Sequence, residues 1–78
     1  MSDDRTQMTG DEWIAAFAAR LGVDPPDADA VTTLLDLAGV AAHASERVAA
    51  PIACFLVGRA GLDPEVALHQ AGEVGQQR

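Results

Sequence analysis

The chain has 78 residues, 49% of them apolar, and a formal net charge of −7, which bounds it to a single small domain. It has no lysine and five scattered arginines, so the clustered cations that phosphate contacts need are missing, and this argues against nucleic acid or an anionic membrane as a partner. One cysteine excludes an internal disulfide framework and fits a reducing, cytoplasmic setting. Sixteen of the apolar residues are alanines, so a monomer would bury few large side chains. Docking on a second copy or on a protein partner is expected to help it. Seven of the twelve acids (Asp11, Glu12, Asp24, Asp27, Asp29, Asp63 and Glu65) fall where helices should start, and carboxylates there offset the helix macrodipole.

In chain order, residues 1–8 read as a disordered tail, too polar for a secretion signal. Thr9-Gly-Asp-Glu12 has the form of a capping box. It opens a first helix over about 10–21, in which Trp13, Phe17 and Leu21, flanked by Ile14 and Ala18, make one face. Gly22 is placed to close it. Val23-Asp-Pro-Pro-Asp27 is a stiff connector, because a proline disfavours helix in the residue before it.

A second helix is expected over about 27–47, capped by Asp27 or Asp24. Its buried stripe would be Val31, Leu34, Leu35, Ala38, Ala41, Ala42 and Ser45, widened by Leu37, Val40 and Ala44. Pro51 suits the first turn of a third helix, over about 51–60. This segment is apolar almost all round, which marks a buried element, and its eleven-residue run from Val48 to Gly58 is far below the roughly 20 needed to span a membrane. Gly61 closes it. Asp63-Pro64-Glu65 then supplies a cap, a first-position proline and a first-turn acid for a fourth helix. Val66, Leu68, Ala71 and Val74 form its weaker apolar face. Nothing alternates with a strand period. The expected fold is all-α: one compact domain over 9–75, four short helices packed around the third, with a frayed end over 76–78.

Chemistry is sparse. Cys54 lies near the start of a helix, which favours a reactive thiol slightly, but Ala53, Phe55 and Leu56 around it place it in the core as a small hydrophobe. His43, His69 and Cys54 show no metal-ligand spacing. GRAG at 58–61 lacks the rest of any phosphate-binding fingerprint and reads as a helix end. Acyl carrier proteins are also small, acidic and four-helical, yet they need a serine in an Asp-Ser-Leu type motif. Here the serines are only Ser2 and Ser45, and Ser45 has the wrong neighbours. No catalytic residue can be assigned, and a non-enzyme without metal or cofactor is expected. The polar corner His43, Glu46 and Arg47 has one-turn spacing. It serves either to satisfy the carbonyls at a helix C-terminus or as a binding notch for a small anionic ligand such as a nucleotide or pterin phosphate.

Several of these pieces carry a resemblance. Glu12-Trp13, Leu21-Gly22-Val23-Asp24, Ala42-His43, Arg47, Ala49-Ala50-Pro51 and Phe55-Leu56-Val57-Gly58 together resemble a small actinobacterial family of unknown function. That family runs through a segment close to AHxxxRPAAPLTTFLVG. The match covers about residues 11–62, departing at Val48, where proline is usual, and at Ala53-Cys54, where two threonines are usual. Such domains occur alone or attached to a molybdenum-cofactor guanylyltransferase-like domain. The resemblance thus implies an accessory role near molybdenum cofactor assembly, and it carries over no catalytic residue. The expected function is a helical interaction domain with Trp13 and Phe17 on its docking surface.

Overall fold

The structure, a computed structural model, describes residues 8–74. The tail expected over 1–8 and the frayed end over 76–78 lie outside these residues, except for the exposed Met8. Four helices follow in order, α1 (Gly10–Leu21), α2 (Ala28–Ala44), α3 (Ala49–Ala60) and α4 (Pro64–Val74), with no strand among the described residues. The chain is all-α.

Local chemistry sets most of the helix ends. The Thr9 hydroxyl accepts from the Glu12 amide at 3.1 Å, and the Glu12 carboxylate accepts from the Thr9 amide at 3.0 Å. Two donors that α1 cannot satisfy internally are thereby paired. At the other end Gly22 takes φ 78°, and the amides of Gly22 and Val23 turn back to the carbonyls of Ala19 and Ala18 at 3.1 and 3.0 Å. That left-handed backbone costs an L side chain about 1–2 kcal/mol, hence the glycine. Gly61, at φ 70°, closes α3 in the same way. Asp27, rather than Asp24, caps α2, accepting from the Ala30 amide at 2.8 Å. Asp63 accepts from the Glu65 amide at 3.2 Å around Pro64, the first residue of α4.

The turn between α2 and α3 departs from expectation. α2 stops at Ala44, three residues short of Arg47, because Ser45 leaves helical backbone (φ −144°, ψ −98°). Its hydroxyl donates to the Ala41 carbonyl at 2.8 Å. The same carbonyl also takes the Ser45 amide at 3.2 Å, so the hydroxyl adds a second local bond of the kind that competes with continued helix. α3 starts earlier than expected, at Ala49, since the Ala49 and Ala50 amides bond the carbonyls of Glu46 and Arg47 at 2.9 and 3.1 Å. Pro51 becomes its third residue, still within the turn whose amides lack intrahelical partners.

α2 is the hub of the packing. It contacts α3 and α4, while α1 makes the least contact with the rest. α2 and α4 run in the same direction, with Asp27 and Ala30 beside Asp63 and Pro64 at their shared N-terminal end. α3 runs opposite to both. Its Ala49 and Ala53 meet Ala41 and Ala44 of α2 and Ala71 of α4 around an apolar cavity of about 350 Å³.

Two expectations are corrected here. α3 is not the buried centre, and none of its residues is fully buried. Its half-buried side is Ala49, Ala50, Ala53, Cys54 and Val57, small enough to let helix axes approach. Within α2, Leu37 is the buried anchor at 2% exposure, and Leu35 points away at 67%. Two residues turn a helix by about 200°, so these leucines cannot share a face, and the side covered by α3 and α4 is the one that holds Leu37.

Candidate functional site

The aromatic side chains among the described residues sit exposed on two helices. On α1, Trp13, Phe17 and Leu21 repeat every four residues and form one outward stripe, with Trp13 55% and Phe17 47% exposed. The Trp13 and Phe17 rings lie 5.0 Å apart at a tilt of 33°, within the range where an aromatic pair attracts and stiffens both side chains. Met8, Ala16 and Arg20 border this stripe. On the other side of α1, Ile14 and Ala15 border an open cleft shared with Pro25, Pro26, Ala28 and Val31 at the start of α2. The sequence placed Trp13 and Phe17 on a docking surface, and the structure holds both in solvent.

α3 carries a second stripe. Val48, Ile52, Phe55 and Leu56 are all exposed, Ile52 at 59% and Phe55 at 58%, and Arg59 follows on the same face by its seven-residue step from Ile52. The sequence reading missed this stripe because an all-apolar helix was taken to be buried. A signal was available in side-chain size: the small residues of α3 gather on one face and the large ones on the opposite face. Small residues let helices approach closely, so they mark the face turned to α2.

The polar corner is taken apart by the end of α2. His43 is on the last turn of the helix, beside Leu35, Asp36, Gly39 and Val40 on the outer surface of α2. Glu46 and Arg47 lie beyond the helix, in the turn, where their carbonyls receive the first amides of α3. All three side chains are exposed. The common face that one-turn spacing would give His43 and Arg47 needs a helix through Arg47, and there is none. The side-chain bond to a carbonyl at this helix end is made by Ser45, whose hydroxyl donates to Ala41.

Cys54 is half-buried, with its sulfur 4.0 Å from the Leu34 carbonyl of α2, a weak S–H contact in a mostly apolar setting. His69 lies 3.3 Å from the Glu73 carboxylate one turn on along α4, far from His43 in sequence. Among the described residues no three His, Cys, Asp or Glu side chains gather as a metal site would require. No described helix is long and apolar enough to cross a membrane.

A family described as "Domain of unknown function (DUF6457)" matches residues 5–76. The chain belongs to that family. The match takes in all four helices together with the α1 and α3 stripes, and so extends beyond the 11–62 segment on which the sequence resemblance rested. No curated protein and no solved structure matches the chain.

Proposed function

We propose that this family member is a non-enzymatic helical interaction domain of the cytoplasm that docks through the outer faces of α1 and α3, on itself or on an enzyme of molybdenum cofactor assembly. One observation carries the docking part. Ile52, Phe55, Leu56, Trp13 and Phe17 are outside, while the fully buried positions among the described residues are only Ala18, Leu37 and Ala67. Single exposed leucines need no explanation, but contiguous apolar stripes mark interaction surfaces. Aromatic side chains are also the commonest anchors of such surfaces. The cofactor link rests on the sequence resemblance, whose members occur alone or attached to guanylyltransferase-like domains. A nucleotide or pterin phosphate at His43 and Arg47 is the alternative, and no geometric observation favours it.

The test is calorimetric titration of the chain into a purified molybdenum-cofactor guanylyltransferase, repeated with Trp13→Ala and Phe55→Ala. A central aromatic anchor contributes about 2 kcal/mol, so a loss of roughly 30-fold in affinity is expected for either variant. Absence of binding by the wild-type chain counts against the enzyme partner. Unchanged binding by both variants counts against these faces.

A further inference from the structure

We infer that the partner of the α1 stripe is the α3 stripe of a second copy of this chain, packed antiparallel, with the reciprocal contact completing a two-fold dimer. The inference rests on the interaction-domain reading and deepens it by naming what covers the surface.

Three observations lead there. First, the stripes match in length and register. Trp13, Phe17 and Leu21 on one side and Leu56, Ile52 and Val48 on the other both step by four residues, so each spans about 12 Å along its helix. Antiparallel pairing sets Phe17 against Ile52 at the centre, Trp13 against Leu56 and Leu21 against Val48.

Second, charge and topology disfavour the pairing within one chain, where α1 and α3 make little contact. The connector from Leu21 to Ala28 is short and holds Pro25 and Pro26. The C-terminal end of α1 must therefore stay at the N-terminal end of α2, where the opposed α3 also ends. If α1 lay on α3 of its own chain, it would run parallel to it and bring Arg20 against Arg59. Between copies the antiparallel arrangement is open. Arg20 and Arg59 then lie at opposite ends of the contact. Separation of like charges at the rim favours this orientation.

Third, the area suffices. An aromatic side chain offers about 150–250 Å² and an aliphatic one less, and with about half of each free, each stripe holds roughly 250–400 Å² of apolar surface. Two stripes per chain approach the roughly 800 Å² per partner of a standard stable interface, and a two-fold axis uses both.

The experiment uses this chain alone. One preparation carries Cys54→Ala with Phe17→Cys, another Cys54→Ala with Ile52→Cys, and the two are mixed under mild oxidation. A disulfide-linked pair of unlike chains is expected as the main product. Light scattering of the unsubstituted chain should give twice the 8.1 kDa chain mass. Phe17→Asp and Ile52→Asp should each return it to one chain mass with helical circular dichroism retained. A monomer at every concentration overturns the proposal, as does a main product linking Phe17→Cys to itself. Ring closure within a chain that carries both cysteines does the same. The dimer experiment contains no enzyme, so a failed titration with the guanylyltransferase and a failed dimer remain distinguishable.

Discussion

Replacing Leu37 with Ala tests the packing most directly, because it removes the one large side chain that is fully buried among the described residues. The change deletes three carbons, and at about 0.8 kcal/mol per buried methylene the transfer loss is roughly 2.4 kcal/mol. A cavity term raises Leu→Ala costs toward about 5 kcal/mol where surroundings stay rigid. Here the neighbouring shell is alanine-rich and half exposed, and it can close in, so a total of about 2.5–3 kcal/mol is expected. A domain of this size has a stability on the order of 4–12 kcal/mol, so the variant loses a large share of it. Leu35→Ala is the control two residues away. Its side chain is mostly in solvent, and a change within about 0.5 kcal/mol is expected. Urea unfolding followed by circular dichroism, at equal protein concentrations, reads both. With a slope near 1 kcal/mol per molar for a small chain, the Leu37 variant should shift its midpoint by about 2 M or more. Equal costs for the two variants, or a Leu37→Ala cost below about 1 kcal/mol, would refute α2 as the hub in this orientation.

The other expected outcomes are smaller in size. Ser45→Ala should cost about 0.5–1.5 kcal/mol through the lost hydrogen bond to Ala41, whereas Arg47→Ala and His43→Ala should stay within about 0.5 kcal/mol; thermal melts of the three rank them. Gly72 sits in α4 with open space where a Cβ would go, so Gly72→Ala should add about 0.5–1 kcal/mol. Gly22→Ala should remove about 1–2 kcal/mol, because its φ is positive. Thr9→Ala should cost α1 about 1 kcal/mol. Because α1 contacts the rest so little, that loss should appear in amide exchange of residues 10–21 and leave the melting of α2 and α3 nearly unchanged.

The parts legible beforehand are those that depend on neighbours in sequence. The Thr9–Glu12 capping box, the Gly22 and Gly61 closures and the Asp63-Pro64-Glu65 start are each decided within a few residues, so composition and spacing were enough. The end of α2 was misread for a related reason. The 3-4 spacing continues through Ser45 and Arg47, and spacing carries no sign that the Ser45 hydroxyl turns back to Ala41. That change of direction also dissolved the His43–Arg47 face, since the two residues share a side only while the helix lasts. Trp13 and Phe17 were expected on the surface, and both side chains are exposed.

Sequence by itself determined four helices, most of their boundaries and an acidic chain without clustered cations, since propensities, caps and charge are local or summed properties. Tertiary structure decided which helix sits at the centre and which apolar face stays in water. Hydrophobicity alone cannot separate a face that meets another helix from one left uncovered. Close approach of backbones can, and it draws the alanine side of α3 onto α2 while turning Ile52, Phe55 and Leu56 outward.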